Sequence, residues 1–203
     1  NTIPANIGIR DDMLETVRPN TFENVPALWR DALPRPAVDT HKYRRGHACV
    51  FSGGPSATGA ARLAALAAAR IGAGAVTVLS PAAAMLVNAS HLTAIMLAKV
   101  GDAADLAAFI ERRKPNAFVL GPGFGVGEKA RELALAVLEN GDFGGLVLDA
   151  DGITSFEDAP ASLFITAGSG HAPPRVLTPH EGEFARLFPG LAGDATLSKL
   201  DKA

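Results

Sequence analysis

The chain has 203 residues, 48% of them hydrophobic and 20% charged, which is enough to bury one sizeable core and makes one large domain the default. A formal net charge of -2 and a pI near 6.2 leave no basic surface to call for nucleic acid. The single Cys49, inside Ala48-Cys49-Val50-Phe51, allows neither a disulfide framework nor a cysteine zinc site and reads as a buried, reduced thiol.

In chain order, the start Asn1-Thr2-Ile3-Pro4-Ala5-Asn6 lacks a basic region followed by an apolar one, and no apolar stretch is long enough to span a bilayer. A cytoplasmic chain with no membrane partner is expected. Residues 1–40 carry scattered prolines (Pro4, Pro19, Pro26, Pro34, Pro36) without periodicity, which predicts a linker or extended arm. Its Phe22, Leu28 and Trp29 are expected to tack it to the body or to a neighbouring subunit. The stretch His41-Lys42-Tyr43-Arg44-Arg45-Gly46-His47 is a small basic patch expected to be solvated.

From Ala48 onward short apolar runs alternate with Ala/Leu segments of helical period, the pattern of an α/β domain over 41–203. Strands are predicted near Ala48 to Ser52, Ala75 to Leu79, Ala117 to Leu120, Leu146 to Leu148 and Arg175 to Leu177, with a further one near Thr93 to Leu97. Continuous apolar runs predict parallel strands buried on both faces. Helices are predicted over Gly59 to Ile71, with Leu63, Leu66 and Ala67 facing the core, and Gly127 to Leu138, with Ala130, Leu133, Ala134 and Val137 facing it. Glu111-Arg112-Arg113-Lys114 closes a helix with charge that suits its dipole. His91 and His171 have no partner spacing that suggests a metal.

In an open parallel sheet ligands sit beyond the carboxyl ends of the strands, and there the unusual residues collect. The first strand is followed by Ser52-Gly53-Gly54-Pro55-Ser56-Ala57-Thr58-Gly59-Ala60, a turn that lets backbone N–H groups approach a phosphate, or that serves as a plain turn with Thr58 as N-cap. Gly121-Pro122-Gly123-Phe124-Gly125-Val126-Gly127 follows a later strand and matches neither the dinucleotide fingerprint nor the Walker loop. Asp149-Ala150-Asp151-Gly152 brings two carboxylates to the same edge, where they coordinate water around Mg²⁺ or hydrogen-bond a ribose or amide, or where Asp151 caps the next helix while Asp149 accepts backbone N–H groups. Thr178-Pro179-His180-Glu181-Gly182-Glu183-Phe184 adds a histidine before an acidic helix turn. Four such loops on one edge predict a ligand crevice.

These loops, in this order, together with His41-Lys42, Gly46 and Arg70-Ile71-Gly72-Ala73-Gly74-Ala75-Val76-Thr77-Val78, resemble the kinase-like NAD(P)H-hydrate dehydratase family of the ribokinase-like superfamily, from about His41 to Phe188. The resemblance implies a three-layer αβα fold with a mainly parallel central sheet, of which the C-terminal part is expected to be missing. It implies dehydration of hydrated NADH or NADPH to the reduced nucleotide, with ADP (or ATP) as phosphoryl donor and Mg²⁺. Carried over, Ala60, Gly123 and His180, with Gly125 as neighbour, contact the hydrated nucleotide. Asp149 and Asp151 face the same pocket, and Gly53, Gly54, Thr58 and Gly59 form the glycine-rich loop.

The usual asparagine two places after Gly152 is Thr154 here, which leaves one expected polar contact without its residue. The arm with Ile7-Gly8-Ile9 resembles the link to an N-terminal epimerase domain in bifunctional bacterial members, and family members assemble as homo-oligomers. The Gly-x-Gly-Asp loop that supplies the family's catalytic aspartate does not occur in this sequence; Ala192-Gly193-Asp194 is a superficial echo. The catalytic residue is therefore unassigned, and the chain alone is expected to bind nucleotide poorly and not to turn over. The alternatives are a ribokinase-like kinase of a small alcohol and a non-catalytic nucleotide-binding module.

Overall fold

The computed structural model describes residues 21–35, 37–140, 143–165 and 174–202, with the single positions 8, 13, 16 and 18. Ile7, Ile9 and His171, singled out in the sequence, lie outside the described residues. The chain divides into two units, Asn1–Arg35 with Leu197–Ala203, and Pro36–Thr196. In the smaller unit a helical turn, Pro26–Trp29, continues as a 3-10 turn, Arg30–Ala32. Trp29 Nε1 donates to Asn24 Oδ1 at 2.9 Å, while Phe22, Leu28 and Leu33 stay exposed. A last turn, Lys199–Lys202, is preceded by Ser198, whose hydroxyl and N–H both donate to Asp201 and hold its carboxyl below the ordinary range.

The larger unit is built on six parallel strands, β1 (His47–Phe51), β2 (Ala75–Ser80), β3 (Met96–Lys99), β4 (Ala117–Leu120), β5 (Gly145–Leu148) and β6 (Arg175–Leu177), in the order β3-β2-β1-β4-β5-β6. Successive strand residues face opposite sides, and here both sides are apolar. Val50, Val76 and Val78 belong to one buried cluster, and Cys49, Phe51 and Leu79 to the other. Helix α1 (Gly59–Ile71) covers the first face through Ala61 and Ala65. After α2 (Met85–His91), helices α3 (Ala103–Arg113) and α4 (Glu128–Glu139) cover the second with Leu106, Phe109, Leu133 and Val137. Burying each of these side chains contributes about 1.5–3 kcal/mol. Short helices α5 (Asp151–Thr154), α6 (Pro160–Ile165) and α7 (Glu181–Leu187) complete a three-layer α/β arrangement. Among the described residues no helix is long and apolar enough to cross a membrane.

The all-parallel sheet is the one expected, and so is the buried face of α4. Three local expectations are corrected. Leu63 and Leu66 are 70% and 47% exposed, because α1 lies close on β1 and β2 and only its alanine seam fits that narrow gap. Strand β3 begins at Met96 rather than Thr93, since pairing with β2 starts opposite Thr77 and residues 92–95 are spent leaving α2. His47, expected in a solvated patch, is a buried strand residue; His41 to Arg45 before it are exposed.

From β1 the chain builds β2 and β3 outward on one side and then returns to β4 on the other, so the topological switch point lies between β1 and β4. At the opposite end of these two strands, His47 N donates to Asn116 Oδ1 and Asn116 N to His47 O, both at 2.8 Å. A crevice is expected where strand order reverses, at the carboxyl ends.

Candidate active site

The glycine loops after β1 and β4 meet at this switch point. A Cβ on Gly53 would fall 1.8 Å from the Gly123 carbonyl oxygen, and one on Gly123, at φ +68°, would fall 3.1 Å from Ala57 O. The β4 loop is keyed to the β5 loop in the same way, since a Cβ on Gly121 would fall 1.7 Å from Asp149 O. Only glycine permits backbones to approach this closely. The glycines therefore serve loop-on-loop packing, while Gly54, Gly59 and Gly125 face open space.

Side chains then pin the loops together. Gly125 N donates to Asp151 Oδ2 at 2.8 Å, and Gly127 N to Ser155 Oγ at 3.0 Å. The Ser155 hydroxyl donates to Asp151 O at 2.5 Å, and Arg131 reaches Ser155 O at 3.4 Å. Thr178 Oγ1 donates to Asp149 Oδ1 at 2.9 Å, which ties the β6 loop to the β5 loop. Loops after β1, β4, β5 and β6 thus form one continuous rim. Ser155, buried and central to it, is absent from the motifs read in the sequence; its one local signal is a hydroxyl four residues after Asp151, where it reaches that residue's carbonyl.

Two capping expectations are corrected. Thr58 precedes α1 but makes no side-chain cap, since its backbone is already helical, φ -85° and ψ -14°, and its side chain is buried. Asp151 is the first residue of α5 rather than its cap, and the cap position belongs to Ala150 at φ 46° and ψ -118°. With Gly152 N donating to Asp149 O at 2.9 Å, residues Asp149 to Gly152 form a type II′ turn whose second residue is one that strongly prefers glycine.

His180 caps α7. Its Nδ1 accepts from Gly182 N at 3.0 Å and Glu183 N at 3.3 Å, while Glu183 Oε2 accepts from His180 N at 2.9 Å in a reciprocal capping box. An accepting Nδ1 leaves the proton on Nε2, which lies 3.2 Å from Glu183 Oε1. Ala60 stands exposed in the first turn of α1. Among the described residues no side-chain hydrogen bond from His180 reaches the other three loops.

Two cavities lie away from the centre of this rim. One of about 290 Å³ lies between β3 and α3, lined by Thr77, Lys99, Phe109, Arg112 and Arg113. The other, about 360 Å³, lies beside α1 and takes only Gly59 from the glycine loops. Under the sheet, His47 Nε2 meets Thr77 Oγ1 at 2.7 Å, and burial lowers the pKa of His47. Burial likewise pushes the Cys49 thiol well up, which removes it as a nucleophile. No group of three or more His, Cys, Asp or Glu side chains suited to a metal is present among the described residues.

A doubly wound parallel sheet with glycine-rich loops at its switch point and a carboxylate pair on the neighbouring loop defines an open-sheet α/β protein. Residues 48–202 match the family described as NAD(P)H-hydrate dehydratase, and the chain belongs to that family. Its fold is shared with a ribokinase-like superfamily protein from Enterococcus faecalis, TM-score 0.63 at 20% identity, over 83% of this chain and 59% of that one. It is also shared with the ADP/ATP-dependent NAD(P)H-hydrate dehydratase from Bacillus subtilis co-crystallized with ATP/Mg²⁺, TM-score 0.64 at 24% identity, over 81% of this chain and 55% of that one. The bifunctional NAD(P)H-hydrate repair enzyme Nnr of Gloeobacter violaceus is 37% identical over 201 residues, 94% of this chain and 38% of that enzyme. This chain spans 29% to 38% of the length of such bifunctional relatives.

Proposed function

We propose that the rim at the β1/β4 switch point binds hydrated NADH or NADPH together with ADP or ATP, and serves the dehydration that returns the reduced nucleotide. The interlock of Gly53 with Gly123 and of Gly121 with Asp149 supports this reading, because it packs the loops that carry the resembling motifs against one another. Gly53, Gly54, Thr58 and Gly59 form the phosphate-facing turn, with the N-terminus of α1 directed at it. Ala60, Gly123, Gly125 and His180 line the place of the hydrated nucleotide, with the Nε2–H of His180 as donor.

The carboxylates suit Mg²⁺. Asp149 Oδ2 and Asp151 Oδ1 have no partner among the described residues, and one or two carboxylates plus phosphates are the donor set that ion takes. When bound it would offset phosphate charge. The remaining work of the chain is to hold two nucleotides, orient the acceptor hydroxyl and present backbone N–H groups. No residue among the 203 is assigned as acid/base. The arm before His41 is read as a link to an epimerase domain, in keeping with the bifunctional relatives, and the protein as a homo-oligomer in the cytoplasm.

Recovery of reduced-nicotinamide absorbance from hydrated NADH, ADP or ATP and Mg²⁺ tests the reading, using the full gene product that contains this chain. Recovery is expected. Phosphorylation of a small alcohol with no recovery from the hydrate would overturn it in favour of a kinase, and nucleotide binding without either reaction in favour of a binding module.

A further inference from the structure

Asn88 is a fully buried polar side chain on α2 that no motif or role described so far uses. Its amide nitrogen donates to Ser52 Oγ and to Ser80 Oγ, each at 3.0 Å, and so bridges the carboxyl ends of neighbouring strands β1 and β2. A hydroxyl whose oxygen accepts still has a hydrogen to give. Ser80 gives it to Pro81 O at 3.1 Å, and Ser52 gives it to Gly53 O at 3.3 Å. The amide orientation is set by this pattern. Turned over, it would place two N–H donors where Oδ1 now has no partner among the described residues.

The Gly53–Gly54 peptide is planar and trans, so holding Gly53 O on the Ser52 side turns Gly54 N–H to the opposite side. That N–H has no partner among the described residues, and half-buried Gly54 has open space where a Cβ would stand. We propose that Asn88 is a positioning residue for the glycine-rich loop: it directs the Ser52 hydroxyl onto Gly53 O and thereby presents Gly54 N–H to a phosphate of the bound nucleotide. The proposal rests on the nucleotide reading of the crevice given above.

The two arms of Asn88 separate positioning from mere stapling. Ser52→Ala and Ser80→Ala each remove one buried partner of the same amide, but only the first touches the peptide that faces the crevice. In ligand-free protein, amide exchange over residues 52–58 is expected to rise about tenfold in Ser52→Ala and Asn88→Ala and less than about twofold in Ser80→Ala. With the substitutions carried in the full gene product, the Kd for ADP is expected to rise roughly five- to tenfold in the same two variants only. The serine pair decides the matter without Asn88→Ala should that variant fail to fold. Indistinguishable exchange and ADP affinity in the two serine variants would overturn the role of Asn88. An unsubstituted full gene product that binds no ADP would overturn the nucleotide reading on which it rests.

Discussion

Gly53 lies against Gly123 so closely that a Cβ on the first would fall 1.8 Å from the carbonyl oxygen of the second. The obstacle is backbone, so it cannot swing aside as a side chain does. Gly53→Ala is therefore expected to cost about 2–3 kcal/mol and to lower Tm by roughly 5–10 °C. Gly54→Ala, next in sequence but in open space, should lie within about 1 kcal/mol of wild type. Thermal unfolding of the pair checks this, and equal Tm values would contradict the interlock.

Ser155→Ala removes the acceptor of Gly127 N and the donor to Asp151 O. Leaving that amide unpaired at a half-buried site is expected to cost about 1–3 kcal/mol. The β4 loop should lose exchange protection at Gly127 while the β1 loop keeps its own, as hydrogen exchange read by peptide would show.

Ala150 holds φ 46° at the turn position that prefers glycine. Such strain is worth about 1–3 kcal/mol, against about 0.5–1 kcal/mol for the added freedom of glycine in the unfolded chain. Ala150→Gly should then raise stability by about 1 kcal/mol, seen as a Tm higher by roughly 2–4 °C. An unchanged or lower Tm would mean that the turn carries no net strain.

His180 has two roles that one substitution separates. Asparagine is as good an N-cap, so His180→Asn should keep stability within about 0.5 kcal/mol, whereas His180→Ala should cost about 1 kcal/mol. If Nε2–H contacts the hydrated nucleotide, both variants should raise the KM for it about tenfold. A KM raised only in His180→Ala would confine the histidine to capping.

His47 links stability to pH. Burial, opposed by the backbone carbonyl of Arg113 as an acceptor and aided by the charge of that residue, places its folded pKa below the ordinary histidine value of 6.5. Between the lowered folded value and 6.5 the unfolded chain binds more protons, so stability is present above about pH 6.5 and falls as pH drops through that window. Chemical denaturation across the window should show this slope, and His47→Gln, which keeps a polar partner for Thr77 but does not titrate, should flatten it.

The strands and the four loops were legible because buried parallel strands are continuous apolar runs and the glycines begin where those runs stop. The face of α1 was not. Ala61 and Ala65 share a helical stripe, as do Leu63 and Leu66, and only the distance between helix and sheet decides which one turns inward. The roles of Ser155 toward Gly127 and of Asn88 toward Ser52 were illegible for a common reason: each acts on a segment brought near by the fold, and no local pattern encodes such a partner.

The sheet order also sets a sequence in time. Strands β1, β2 and β3 follow one another along the chain and pair outward, so that half can assemble as it is made, whereas His47 must wait 69 residues for Asn116 before β4 can dock on the other flank of β1. Distant pairings of this kind are the slow part of folding. The crevice proposed for nucleotide, shared between the two flanks, needs both of them docked, and a nucleotide bound there is expected to slow undocking more than it speeds the steps before.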